Sequence, residues 1–244
     1  MLLSSRADIR ATSGDDPFVA HLLANWTGRP AFGRGGALCV QYQYWDDPAW
    51  IAVGPPADIA ALMDELADDA TALPGHVSLP VPAVPLLRRA RFVSGDFWAF
   101  RWTDRQVPAA DGGVDWLTDD DVADVSGLLD RDFADASVRP GSRHVRRWAG
   151  IRLDGELVAC GADSTGAPDV GFMASLVTAK QVRGRGYGHR LTAWLTNELI
   201  AEHGRVALWQ YSDNTAATAL YDRLGYHDDH QMVAAANDSP HPQA

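Results

Sequence analysis

The sequence has few cysteines and no long hydrophobic run, and these absences exclude several classes of protein. Cys39 and Cys160 are its only cysteines. Each lies in an apolar run, which is typical of a small buried residue, and two such distant cysteines do not make a disulfide framework. No apolar run approaches the ~20 residues of a membrane span, and the first residues lack the apolar region of a signal peptide. We therefore expect a soluble cytoplasmic protein without a membrane partner.

Basic residues are also scarce, and almost all of them are arginines. Lys180 is the only lysine, and the formal net charge of the 244 residues is −11. The halves before and after residue 113 are both acidic, so neither is a basic module that binds the phosphate backbone of a nucleic acid. An acidic surface attracts cationic amines, although solubility alone also explains much of this charge.

One stretch, Val177–Gly188, combines a strand end, three glycines and a helix start. The apolar segment 170–178 indicates a strand, and residues 189–203 carry apolar side chains at helical spacing. Between them lie Gly184, Gly186 and Gly188. A glycine turn before a helix brings backbone N–H groups and the positive end of the helix dipole to one point. The stretch therefore predicts a site for phosphate or pyrophosphate.

The glycine spacing excludes two common phosphate-binding loops. It is not GxxxxGK[ST], and the position three after Gly186 is His189, where a dinucleotide-binding fingerprint needs a small residue. Two plainer alternatives are a solvated surface turn and an RGG-like RNA contact. The sequence contains no run of RGG repeats, and a packed helix follows at once, so we favour the phosphate site.

A second pattern lies downstream, between residues 206 and 226. It indicates a strand, then a helix from about Asn214 to Leu224, and then Gly225 as the helix C-cap. The spacing is Asn214-x-x-Ala217-x-x-Leu220-Tyr221-x-x-x-Gly225-Tyr226.

The two patterns together resemble the GCN5-related N-acetyltransferase (GNAT) superfamily. Its signature Q/R-x-x-G-x-G/A is similar to Arg183-x-x-Gly186-x-Gly188, and its second hallmark N-x-x-A-x-x-L-Y-x-x-x-G-F is similar to the downstream pattern. The resemblance covers roughly residues 114–236. It implies an α/β (α+β) fold with a mixed central sheet flanked by helices. It also implies acetyl-CoA as the acyl-donor substrate.

The resemblance assigns expected roles to particular residues. The N–H groups of the loop (Arg183, Gly184, Arg185, Gly186, Tyr187 and Gly188) would hold the CoA pyrophosphate. Leu176, Val177 and Thr178 would present their backbone to the pantetheine arm and the thioester oxygen. Tyr221 would be the general acid for the leaving thiolate, since a phenol has a pKa of about 10, although a tyrosine packed under the sheet is the alternative. Asn214 would cap its helix and contact the pantetheine.

Two further groups of residues are candidates for the general base and for a metal site. Many relatives carry a glutamate on the strand before the glycine loop, and this chain has no acid between Val170 and Thr178. Asp169, Asp163, Glu156 or an ordered water chain could serve as the base instead.

The cluster His227-Asp228-Asp229-His230 lacks a firm third ligand, so we expect no metal site.

We expect three parts of the chain: an N-terminal α/β domain (1–113), the GNAT domain (114–236) and a disordered tail (237–244). The Pro- and Gly-bearing segment 106–113 indicates the linker, residues 1–14 a loose start, and 28–36 a glycine-rich loop rather than a second phosphate site. The first half, with helices from Pro17 and over 58–73, resembles a degenerate GNAT half without a pyrophosphate loop. Two-lobed, glycine N-acyltransferase-like members of the superfamily are built in this way.

The sequence therefore predicts an N-acetyltransferase that transfers an acetyl group from acetyl-CoA to an amine of a small molecule or peptide, as a monomer or homodimer. The alternatives are a non-catalytic acyl-CoA-binding module and an acyltransferase that uses a longer acyl-CoA. A Rossmann oxidoreductase is less compatible, because no ribose-binding acid follows the loop on a strand. The resemblance implies that the acceptor is set by the loops around 134–144 and by the seam between the two halves.

Overall fold

The computed structural model describes residues 1–24, 26, 28–44, 47–67, 76–87, 92–108 and 112–237. Contacts divide the chain into two compact units. Unit 1 contains Met1–Phe100, Gln210–Asn214 and the described residues from Asp228 onward. Unit 2 contains Arg101–Trp209 and Thr215–His227. Neither unit is therefore one continuous piece of sequence.

Unit 1 is a mixed sheet with helices. Its elements are β1 (Leu2–Leu3), α1 (Arg6–Ser13), α2 (Pro17–Ala24), β2 (Ala31–Arg34), β3 (Ala37–Tyr44), β4 (Asp47–Val53), α3 (Pro56–Ala67), β5 (His76–Pro80), α4 (Val84–Leu87) and most of β6 (Phe92–Thr103) and β12 (His227–Asn237). The first five strands lie in chain order, and β12 follows β5. Strands β4 and β5 are parallel and are joined through α3, while the other described pairs of this unit are antiparallel.

Unit 2 repeats this arrangement of strands. Its elements are β7 (Asp115–Trp116), α5 (Val122–Asp132), β8 (Arg147–Leu153), β9 (Glu156–Asp163), β10 (Gly171–Thr178), α6 (Tyr187–His203), most of β11 (Val206–Tyr211) and α7 (Thr215–Arg223). The sheet order is β11-β10-β9-β8-β7. Strands β10 and β11 are parallel and are joined through α6, and the other described pairs are antiparallel. The expected mixed α/β fold is confirmed.

Each core forms where a helix covers its sheet. In unit 1, Ile59 and Leu62 of α3 pack with Trp50 of β4 and with Val233 of β12. In unit 2, α6 contributes Leu191, Leu195 and Leu199 to a larger apolar cluster. The positions that repeat every three or four residues on each helix are the buried ones, which is the source of the helical pattern in the sequence.

Two expected loops are regular elements. The start of the chain is not loose, because Ser5 and Asp8 form a capping box with two 3.1 Å hydrogen bonds, and Ile9 of α1 is buried. The glycine-rich segment 28–36 contains β2, which pairs with β3 from Ala31↔Val40 to Arg34↔Ala37. Gly33 fits this strand because a side chain there would come within 3.3 Å of Leu3.

The last strand explains why the two units differ from the expected contiguous domains. Residues Met232–Ala236 of β12 pair with His76–Pro80 of β5, and Met232 and Val233 are buried in unit 1. Asn237 ends this strand, and the rest of the expected tail lies outside the described residues. The same is true of 109–111 in the expected linker and of the end of the helix expected over 58–73.

Candidate active site

The glycine loop joins β10 to α6 and leaves the start of that helix uncapped. After Thr178, a 3-10 turn (Lys180–Val182) leads into Gly184 and Gly186, which have φ values of 76° and 87°. Gly186 is the N-cap of α6, and no side chain accepts a hydrogen bond from the first turn. The first turn also contains no acidic residue. Its N–H groups and the helix dipole are therefore available to an anion.

Gly188, the third glycine of the loop, allows close packing between α6 and β10. A Cβ atom on Gly188 would lie 3.1 Å from the hydroxyl oxygen of Thr178, which is tighter than most real contacts. The absence of a side chain lets the first turn of α6 approach the end of β10. The loop amides and the last residue of β10 consequently belong to one small region.

The two loop arginines have different surroundings. Nε of Arg183 donates to the carbonyl oxygen of Thr178 at 3.0 Å, and a terminal nitrogen reaches the carbonyl oxygen of Asp132 at 3.4 Å. Arg183 thus ties the loop to β10 and to the end of α5. Arg185 is exposed. Tyr187 is half-buried, and the guanidinium of Arg190 lies 5.3 Å from the centre of its ring.

Strand β10 is irregular just before the loop. Its pairing with β11 runs from Gly171↔Val206 to Met173↔Leu208, and its register with β9 shifts between Ala174 and Val177. Ser175 lies in this bulge with a φ of 49°, a strained value for a residue other than glycine. The segment that carries Leu176, Val177 and Thr178 therefore follows the point where the pairing of β10 with β11 ends at Met173↔Leu208.

Ser175 also fixes the loop between α5 and β8. Its hydroxyl oxygen accepts from the N–H of Val138 at 3.0 Å and donates to the carbonyl oxygen of Val138 at 2.8 Å. The bulge and this loop are thus held together by one buried side chain.

Tyr221 is buried on α7 within the same apolar cluster as Val177 and Val182, and Leu176 and Tyr187 pack against that cluster. Burial raises the pKa of Tyr221 well above its usual value of 10. The phenol therefore stays protonated across the physiological pH range and is able to donate a proton. Its ring centre lies 5.5 Å from that of Tyr226.

Two neighbours fix α7 in place. Asp222 accepts a hydrogen bond from the buried Arg101 at 2.6 Å, and the hydroxyl groups of Tyr226 and Thr196 are 2.7 Å apart. Asn214 directly precedes α7 and is exposed. It falls in unit 1, whereas the loop and Tyr221 belong to unit 2. The structure therefore groups the expected strand, loop and tyrosine residues in one unit but not Asn214.

The three candidate bases have distinct environments. The carboxylate of Asp163 is fully buried, 3.0 Å from Nε of Arg147 and 3.5 Å from Arg146, so it is committed to ion pairs. Glu156 is exposed at the start of β9 and lies 3.5 Å from Arg131. Asp169 precedes β10, and its carbonyl oxygen accepts from Arg205 at 3.2 Å.

The histidine pair at the start of β12 does not form one cluster. The ring of His227 stacks on Trp102 with centres 4.4 Å apart, while Nε2 of His230 lies 3.3 Å from Asp16. Residues three apart on a strand point to opposite faces, which accounts for the separation. Across the described residues, no three His, Cys, Asp or Glu side chains are arranged to hold a metal ion. Nor does any described helix have the length and apolar character of a membrane span.

The strand order, the bulged strand β10 and the uncapped glycine loop are features of a GNAT fold. Residues 150–234 match the family model described as FR47-like protein. None of the curated proteins matches the sequence significantly. The family model thus covers both motifs that carried the resemblance, and the resemblance to the GNAT superfamily is confirmed.

Solved structures support the same fold. A GCN5-related N-acetyltransferase from Kribbella flavida is 19% identical, with a TM-score of 0.60 over 94% of this chain and 98% of that one. A GCN5-related N-acetyltransferase from Sphaerobacter thermophilus is 16% identical, with a TM-score of 0.59 over 85% and 76%. A tandem GNAT protein from the clavulanic acid biosynthesis pathway is 16% identical, with a TM-score of 0.51 over 88% and 81%. At these identities the similarity concerns the fold.

Proposed function

We propose that this protein is an N-acetyltransferase that uses acetyl-CoA and an amine acceptor, and that residues 114–236 carry the activity. The observation that carries the proposal is the uncapped N-terminus of α6, which directly follows Gly184 and Gly186 in left-handed conformations. Backbone N–H groups at such a terminus suit a pyrophosphate. The arginine of the loop that contacts only backbone carbonyls, Arg183, keeps its positive charge beside that site.

In this proposal, the strand before the loop receives the rest of the cofactor. The pantetheine arm would bind along Leu176, Val177 and Thr178 as an added strand. Their N–H groups would also stabilise the negative charge that develops on the thioester oxygen. The bulge at Ser175 supports this role, because the pairing of β10 with β11 stops at Met173, before these three residues. Asn214 is a proposed further contact.

The chemistry joins the acceptor nitrogen to the carbonyl carbon of the thioester and breaks the bond from that carbon to sulfur. The leaving thiolate would take its proton from the hydroxyl group of Tyr221. The position of Tyr221 in the same apolar cluster as Val177 supports the role. Burial raises the pKa of this tyrosine, which keeps its proton in place at neutral pH and does not make the phenol a stronger acid. The amine must lose a proton before its attack, and the ion pairs of Asp163 argue against that residue as the base.

A turnover assay tests the proposal. Purified protein is incubated with acetyl-CoA and a panel of small amines and peptides with free N-termini, and released CoA thiol is measured together with the mass of the products. We expect thiol release that depends on an amine and an acceptor that gains one acetyl group. Faster release from butyryl- or octanoyl-CoA would identify a longer acyl donor. Tight binding of acetyl-CoA without turnover of any amine would indicate the non-catalytic module.

A further inference from the structure

Unit 1 contains a cavity of about 540 Å³, within the size range of small-molecule sites. It lies at the carboxyl ends of the parallel strands β4 and β5, where Val53 and Gly54 end one strand and Pro80 ends the other. In unit 2, the glycine loop occupies the equivalent position after β10. The sheet edge of unit 1 lacks the features that make the edge of unit 2 a phosphate site.

The helix that begins beside this cavity is a poor anion site. Pro55 and Pro56, at the start of α3, have no N–H groups to offer. The carboxylate of Asp58, in the first turn, accepts a hydrogen bond from the N–H of Gly36 at 2.9 Å. A negative charge therefore already occupies the end of the helix that would attract a phosphate, so acyl-CoA does not fit there as it would at α6.

The polar lining of the cavity carries excess negative charge. Asp16 caps α2 by accepting from the N–H groups of Phe18 at 2.8 Å and Val19 at 3.3 Å, and its carboxylate lies 3.3 Å from Nε2 of His230. Asp229 adds a second carboxylate. Among the described lining residues, His230 is the one basic side chain.

A helix end and apolar walls complete the cavity. Ser13 is the last residue of α1, and the carbonyl groups of a helix C-terminus carry partial negative charge. Leu38, Val53 and Met232 line the same space. The lining of the cavity thus combines carboxylates with apolar side chains.

We propose that unit 1 binds a small organic cation in this cavity, an ammonium ion with an apolar body. The ammonium group would pair with the carboxylates of Asp16 and Asp229, and the apolar body would lie against Leu38, Val53 and Met232. This site is separate in its residues from the proposed acyl-CoA site and does not depend on acyl transfer.

Calorimetric titration of the full chain at pH 7.5 tests the proposal, with three cations as probes: 2-phenylethylamine, cyclohexylamine and tyramine. The anion 3-phenylpropionate is the matched probe of opposite charge. We expect at least one amine to bind with one site per chain and the anion not to bind. CoA at saturation, which carries no acetyl group to transfer, should leave the affinity for the amine unchanged, so the result is independent of the proposed transferase activity.

Variants locate the binding. Asp16→Asn removes the charge but keeps a good helix cap, and we expect the amine to bind at least about tenfold more weakly. Ser13→Trp fills the cavity without changing its charge and should abolish binding. Asp64→Asn, on an exposed position of α3 outside the cavity, is the control and should bind as the wild type does.

Three results would overturn the proposal. They are no binding of any of the three amines, equal binding of 3-phenylpropionate, and wild-type affinity in Ser13→Trp. If Asp16→Asn fails to fold, Asp229→Asn and Ser13→Trp still provide the charge and volume tests.

Discussion

A single buried hydroxyl group carries the proposed proton transfer. Replacing Tyr221 with phenylalanine removes that group and little volume. We expect kcat to fall by about 10²- to 10⁴-fold, with the affinity for acetyl-CoA unchanged. Steady-state turnover and acetyl-CoA titration provide the two measurements. Tyr226→Phe is the control, because it removes the neighbouring buried hydroxyl that pairs with Thr196, and it should retain turnover. Equal activity of Tyr221→Phe and the wild type would exclude the tyrosine as the acid.

Ser175 joins the bulge of β10 to the loop over 134–144, which we propose to line the acceptor site. Ser175→Gly relieves the left-handed strain but loses both hydrogen bonds to Val138. Ser175→Ala keeps the strain and loses the same bonds. If the hydroxyl positions the loop, both variants should raise KM for the amine while binding acetyl-CoA as the wild type does. A normal KM in Ser175→Ala would show that the bonds to Val138 are dispensable for the acceptor.

A buried histidine, His21, makes the stability of unit 1 depend on pH. Burial lowers the pKa of His21 to about 4 from 6.5, so the unfolded chain binds its proton at a higher pH than the folded chain. The folded state therefore loses stability as the pH falls from 6.5 to 4, by about 3 kcal/mol for the 2.5-unit difference. His21→Leu should remove this loss. Urea unfolding of the wild type and of His21→Leu at pH 7 and pH 4.5 measures this loss of stability. An equal loss in the two proteins would contradict the role of His21.

At the scale of elements, the two loop arginines should act differently. Arg183 and Arg185 are both exposed, and Arg183 also holds the loop through the carbonyl oxygens of Thr178 and Asp132. Arg183→Gln should lower both the melting temperature of the ligand-free protein and its affinity for acetyl-CoA. Arg185→Gln should lower the affinity alone, by a few-fold at low salt, because only a screened charge is lost. If Arg183→Gln and Arg185→Gln lowered the melting temperature equally, this difference between the two arginines would be contradicted.

The elements that the sequence predicts well are those with local signals. Glycine spacing and helical periodicity identified the β10–loop–α6 segment, and Pro17 marked the start of α2. The bulge at Ser175 had no such signal, since serine does not favour a positive φ. The role of Arg183 was also missed, because a hydrogen bond from a side chain to distant backbone leaves no pattern in the sequence. α1 could have been found from its Ser5–Asp8 capping box.

At the scale of the whole molecule, the composition of the units was beyond sequence reasoning. Strand β12 pairs with β5, which lies far away in the chain, and strand pairing over such a separation has no local signature. The expected boundary at residue 113 assumed that neighbours in sequence share a domain. The sequence indicated the repeated topology of the two units only through the similar order of their predicted helices and strands.

The strand that returns to unit 1 yields a prediction about stability. Val233 of β12 is fully buried with Val77 and Leu79 of β5. Val233→Ala removes two methyl groups there, and we expect a loss of about 2 kcal/mol in the free energy of unfolding. Hydrogen exchange should accelerate at the amides of β5. Ala236→Ser, at an exposed position of the same strand, is the control, and equal loss in both variants would contradict the buried role.

The binding of acetyl-CoA at the glycine loop is the claim on which the proposed function depends. Thermal melts with and without acetyl-CoA test it in the wild type, in Gly186→Asp and in Gly155→Asp. Both glycines have a φ of 87° and open space around them, so each variant places an aspartate at the same positive φ without a steric clash. Only Gly186→Asp places a carboxylate at the start of α6.

Acetyl-CoA at about one hundred times Kd should add roughly 2.7 kcal/mol, or several degrees of melting temperature, to the wild type and to Gly155→Asp. The Gly186→Asp variant should show no shift. No shift in the wild type, or an equal shift in all three proteins, would contradict the claim that the glycine loop binds acetyl-CoA.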